Sequence, residues 1–144
     1  MTLLTAYPDD FRPNAERITE IEWVEPRNET IAWAVLATPE GTSPQDVMAA
    51  ARAVCPDAAQ LVSAGTIDAT SKHPTQTNIA FLLDSLELFT LRRRMKASQS
   101  KLRSDKNLTA EERRAMTIQA TQDAARAREL AKAVEGVADP FRNL

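Results

Sequence analysis

Two adjacent carboxylates, Asp9 and Asp10, one thiol, Cys55, and one imidazole, His73, are the side chains from which a catalytic site could begin. Paired acids can divide general acid and base roles between them, but these two follow Pro8 and read as a solvated turn. His73 precedes Pro74, and no Ser, Cys or acidic partner is expected near it to complete a triad, so it reads as a boundary residue. One Cys with one His cannot build a tetrahedral zinc site, and a single Cys cannot close an internal disulfide. No phosphate-cradling glycine loop is visible. Trp23 and Trp33 read as packing residues. No catalytic residue, metal ligand or cofactor is expected, and catalysis is the class of function the sequence argues against.

Charge offers a different chemistry. Residues 1–70 carry 4 Lys/Arg against 11 Asp/Glu, a balance of −7, whereas residues 92–114 carry 9 against 3, a balance of +6. Such polarity suggests two units with different surfaces, one of which meets an acidic partner. Arg92, Arg93, Arg94, Lys96, Lys101 and Arg103 could pair with carboxylates on a protein or touch nucleic acid. The planar fork of arginine suits either anion, and an ordinary solvated helix face would explain them as well. No aromatic residue falls within 92–114, which leaves base stacking unsupported there. Leu102 and Leu108 flank a turn, where they can staple it, insert into a partner groove, or do both. Beside them, Glu112 reads as a helix cap and Arg113 or Arg114 as contacts. The partner-binding candidates are therefore Arg94, Leu102, Leu108, Glu111, Arg113 and Arg114.

The elements that position these residues are helices. With 144 residues, 43% apolar and 26% charged, the chain has an ordinary globular mixture, and only three glycines speak against a turn-rich sheet. Prolines cut the first seventy residues into about five short helices. Leu3, Leu4 and Tyr7 end the first, before Pro8-Asp9-Asp10. Pro13 starts a second that carries Ile18 and Ile21, and Pro26 starts a third with Ile31, Trp33, Val35 and Leu36 as its buried stripe. Ser43-Pro44-Gln45-Asp46 is a strong start signal: Ser43 caps, Pro44 has no amide to waste, and Asp46 faces the dipole. Cys55-Pro56-Asp57 breaks that helix and opens another, with Gly65 as its stop. The polar stretch 66–73 is the expected boundary.

After Pro74 there is neither Gly nor Pro until the turn at Asp105-Lys106-Asn107-Leu108, so one long helix is expected. Ile79, Leu82, Leu83, Leu86 and Phe89 form a stripe that faces a core. Leu88, Leu91, Met95, Ser98 and Leu102 form a second stripe, rotated from the first. Asn107 can supply a left-handed turn residue. Thr109-Ala110-Glu111-Glu112 is a capping box that opens a second long helix, which runs to about Glu135 and stops at Gly136 and Pro140. Met116, Ala120, Asp123, Ala127, Leu130, Val134 and Val137 keep the rhythm of an antiparallel helix pair. Its seam is mostly alanine, which buries little area and leaves the tip weakly held. The expectation is an all-α protein: a small multi-helix bundle (1–72) followed by a long antiparallel helical hairpin with a short C-terminal tail (73–144).

Taken in order, the stretches Leu3–Phe11, Glu16–Ile18, Arg27–Leu36, Phe81–Leu102 and Asn107–Met116 resemble the C-terminal domain of bacterial DnaG-type primases. The resemblance covers most of the chain and rests on apolar spacing and caps. It implies a non-catalytic module whose hairpin docks on the N-terminal domains of a DnaB-type replicative helicase and couples RNA priming to the fork. It also implies an excised domain, since the first helix opens almost at Met1 and neither the zinc-binding nor the polymerase domain of such a primase is present. Single-strand DNA-binding protein is a second partner the family suggests. The shortened first helix and Gln60, where a basic residue is expected, argue against carrying that activity over. The alternatives are the N-terminal domain of the replicative helicase itself and a basic helical hairpin that binds nucleic acid. With no run of ~18 apolar residues and no basic-then-hydrophobic leader, a cytoplasmic chain without a membrane partner is expected.

Overall fold

The computed structural model describes residues 1–63 and 73–136, and among these every regular element is helical. Two compact units divide between Ala80 and Phe81. The expected stops at Gly65 and Pro140, the polar stretch up to Lys72, and Val137 lie outside the described residues.

Among the described residues the first unit stacks six short α-helices: α1 (Thr2–Ala6), α2 (Pro8–Phe11), α3 (Ala15–Thr19), α4 (Pro26–Leu36), α5 (Pro44–Val54) and α6 (Ala58–Ser63). Proline sets the rhythm, with two outcomes that differ from expectation. Pro8 starts α2 rather than merely ending α1, because at the first helical position its missing amide costs nothing. Pro13 falls in a 3-10 turn, Arg12–Asn14, and α3 begins after it. At α5 the expected cap is present: the Ser43 hydroxyl accepts from the Asp46 amide at 3.2 Å.

The core of this unit joins Leu4, Phe11, Ile18, Ile31, Val35, Val47, Ala51, Cys55, Ala58 and Ile79, each nearly inaccessible to water. Trp33 departs from the expected stripe. It is 52% exposed, because Ile31, Ala32 and Val35 already fill the inward side of α4 and Trp33 points between turns, away from them. Long-range hydrogen bonds lace the short helices together. Thr2 Oγ1 donates to the Val62 carbonyl at 2.7 Å, tying α1 to α6. Arg12 donates to the carbonyls of Leu36 at 2.6 Å and Pro39 at 3.1 Å and to Thr38 Oγ1 at 3.2 Å, closing the C-terminal end of α4.

Helix α7 (Gln76–Ser104) starts in the first unit, where Gln76 Nε2 donates to the Asp10 carbonyl at 3.1 Å, and continues through the second. Its 29 residues span about 44 Å at ~1.5 Å per residue. In the second unit it pairs with α8 (Ala110–Gly136). Leu88 and Leu91 of α7 form one buried cluster with Ala127 and Leu130 of α8, flanked by Met95 and Ala131. Glu87 meets Arg126 at one level of the pair, and Arg113 reaches Leu102 at another. These antiparallel pairings make α7 and α8 the long hairpin expected from the heptad-like spacing.

Candidate docking tip of the helical hairpin

At the hairpin turn the local chemistry follows the sequence closely. The Glu112 amide donates to Thr109 Oγ1 at 3.1 Å, and Glu112 Oε2 accepts from the Thr109 amide at 2.8 Å, which completes the capping box. The Thr109 amide foremost, and the Thr109 hydroxyl after it, hold the Glu112 carboxyl below its usual range. Asn107 is not left-handed: among the described residues no residue except Gly41 has positive φ. Instead Asp105 Oδ1 accepts from the Asn107 amide at 2.9 Å, and this side-chain turn reverses the chain without left-handed backbone.

Moving away from the turn, the seam changes character along its length. No residue from 92 to 122 is fully buried, whereas Leu88, Leu91, Asp123, Ala127 and Leu130 are. The outer half of the hairpin is lined by Met95, Ser98, Leu102, Met116 and Ala120, all half-buried. Between the two halves lies a polar layer. Asp123, a seam position, keeps only 8% of its side chain exposed, with its Oδ2 3.4 Å from Arg94 Nε and its Oδ1 accepting from Gln119 Nε2 at 2.9 Å. A buried carboxylate needs such partners, and placing one in a seam favours a single register.

Five of the six candidate residues gather at this end of the hairpin, whereas Arg94 sits back at the Asp123 layer, about 12 Å along α7 from Leu102. Arg94 reaches across the seam to Asp123, with 38% of its own side chain exposed. Arg113 closes the C-terminal end of α7, donating to the carbonyls of Leu102 at 3.0 Å and Asp105 at 2.7 Å. That satisfies two of the four carbonyls a helix end leaves open. Leu102 and Leu108 are half-buried. Glu111 in the first turn of α8 and Arg114 just after it are exposed, on the side away from the seam.

Sequence reasoning missed two apolar residues. Ile118 lies one turn beyond Arg114 on that outward side and is 50% exposed, and Phe89 of α7 is 62% exposed rather than inside the first stripe. The signal for both was available. Positions 111, 114 and 118 repeat at three and four, out of phase with the seam of α8, and Phe89 is in phase with Arg92, Arg93 and Lys96.

Of the groups from which catalysis could begin, the structure brings Asp10 and His73 together. Asp9 pairs with Arg12 at 2.7 Å and accepts from the Gly41 amide at 3.0 Å, and these bonds lower its pKa. Asp10 Oδ2 is 3.1 Å from His73 Nδ1, so the histidine has an acidic partner that its sequence context did not suggest. The Tyr7 ring stands 4.4 Å from the same imidazole, which is largely exposed. Buried Cys55 donates to Asp57 at 3.0 Å, and the carboxylate first and burial second push the thiol up, keeping it protonated. Among the described residues no group of three His, Cys, Asp or Glu could hold a metal ion, and no helix is long and apolar enough to cross a membrane. Comparison with family models, with curated proteins and with solved structures returns no match for this chain.

Proposed function

We propose that this chain is a non-catalytic docking module, the helicase-binding C-terminal domain of a bacterial replicative primase, and that the tip of its hairpin is the anchor. The observation that carries this reading is the outer half of the hairpin, where thirty-one consecutive residues, 92–122, include none that is fully buried. A helix pair sealed so weakly gains from a partner that covers it, because helix stability in proteins comes mainly from packing an apolar face. Glu111, Arg114 and Ile118 form the contact patch on α8, an exposed apolar side chain flanked by charges of both signs. Helix-in-groove recognition uses such i, i+3, i+7 spacing. Arg94 and Arg113 support the patch from within by holding the register and closing α7.

The test is binding of the intact chain to the N-terminal domains of a DnaB-type replicative helicase, followed by calorimetry. Glu111→Lys, Arg114→Glu and Ile118→Ser leave the seam untouched, and Ile118→Ser is expected to weaken binding at least tenfold, within the range of truncating an interface anchor. Arg113→Glu also weakens binding, but through loss of the α7 cap. Undiminished affinity in all three surface variants overturns the tip as anchor, and absence of binding by the wild type overturns the helicase as partner.

A further inference from the structure

One outward flank of α7, turned away from the seam, is assigned no role by this docking reading. At ~100° per residue, Phe89, Arg92, Lys96, Ser100 and Arg103 fall on one outward strip, and all five are exposed. The acidic residues of the helix, Asp84, Glu87 and Asp105, lie on its other sides, so no carboxylate of α7 shares the strip. Arg92, Lys96 and Arg103 form no ion pair among the described residues. Gln99 and Ser100 stand between Lys96 and Arg103 and, with these two cations and Ser104, line a shallow open depression of about 460 Å³. Phe89 stands at one end, its ring 62% exposed.

The geometry points to this strip as a binding track for single-stranded nucleic acid. Three cations a turn or two apart along about 17 Å of helix can follow a phosphodiester chain, and the interleaved amide and hydroxyl groups donate to phosphate oxygens. An acidic protein surface would be matched by apolar residues between the cations, and here those positions are polar. The exposed aromatic at the end of the track supplies a stacking platform that accepts any base, which is how sequence-tolerant single-strand binders combine charge with aromatic rings. The strip shares no residue with the α8 patch, so the two activities stand or fall separately.

Fluorescence anisotropy of a labelled dT20 oligonucleotide, titrated with the intact chain at 50 mM salt, tests the assignment, with rU20 as a second arm. Three neutralised phosphates predict a log–log salt slope near −2, so that affinity falls about 20-fold between 50 and 200 mM salt. Lys96→Glu with Arg103→Glu is expected to abolish detectable binding, and Phe89→Ser to weaken it about fivefold or more. All three positions are exposed, and circular dichroism confirms that the variants remain folded. No anisotropy change for the wild type, a salt slope near zero, or equal binding by the charge-reversed variant overturns the proposal. So does displacement of the oligonucleotide by polyglutamate as readily as by unlabelled dT20, which would make the strip a site for acidic protein.

Discussion

The polar layer at Asp123 makes a prediction whose sign is informative. Removing one partner of a fully buried ion pair costs about 3–5 kcal/mol, because the other charge is stranded. Here the side chain of Arg94 is 38% exposed and Gln119 continues to donate to the carboxylate at 2.9 Å. These two features reduce the cost of Arg94→Met to about 1–2 kcal/mol. Asp123→Leu acts in the opposite direction. It removes the desolvated carboxylate and places an apolar side chain one turn from Ala127, in line with the cluster of Leu88, Leu91 and Leu130. Burying a leucine is worth about 1.5–3 kcal/mol, and the lost ion pair and some crowding offset part of it, for a net gain of about 1 kcal/mol. Two units make a single melting temperature composite, so the assay is hydrogen exchange on peptides of α7 and α8, where 1.4 kcal/mol is a tenfold change in protection. Protection is expected to fall in Arg94→Met and to rise in Asp123→Leu. A tenfold loss of protection in Asp123→Leu, or none in Arg94→Met, refutes the view that this layer trades stability for register.

Two further outcomes follow from the local chemistry. Glu112 has its pKa depressed below the ordinary 4.5 by the Thr109 bonds, so the capping box contributes fully above pH 4.5 and its contribution is lost as the pH falls through the lower folded-state value. The first turn of α8 should therefore fray in acid, seen as loss of the Thr109 and Glu112 amide signals by NMR, and Glu112→Gln should show no such titration. In the first unit, Arg12→Ala removes the bonds to Leu36, Thr38 and Pro39 and should destabilise that unit by about 2 kcal/mol. Both tryptophans lie in this unit, so their fluorescence in urea reports it selectively, and Arg12→Lys should restore only part of the loss because an ammonium lacks the planar fork.

Much of the hairpin could be read before any coordinates. The expected seam positions from Met116 to Val134 are all buried or half-buried on α8, with Ala124 and Ala131 half-buried beside them, and the Thr109–Glu112 box forms as spelled. The start of α5 at Ser43-Pro44 was equally plain. These features are local: a cap or a periodic stripe depends on residues within about seven positions, which any reader of the chain can align. Phe89 and Trp33 were misplaced because a stripe drawn at threes and fours admits residues at its edge, and only the neighbours available decide whether an edge residue is covered. The roles of Arg113, Arg94 and Arg12 were hidden for another reason. A guanidinium in sequence is a charge without an address, and apart from Asp9, three residues from Arg12, the partners named here are 8 to 29 residues away in the chain.

The order of amino acids alone established that this chain is helical, where its capped helices begin, and that two of them are long with complementary heptad-like faces, since each property arises within a few turns of one helix. Tertiary structure decided which arginines are spent on closing the fold and which remain on the surface. It also determined that the outer half of the hairpin holds no fully buried residue, and that Phe89 and Ile118 face outward. Those outcomes depend on the register between helices, and register is the sum of many weak contacts between residues far apart in the chain, which no single segment encodes.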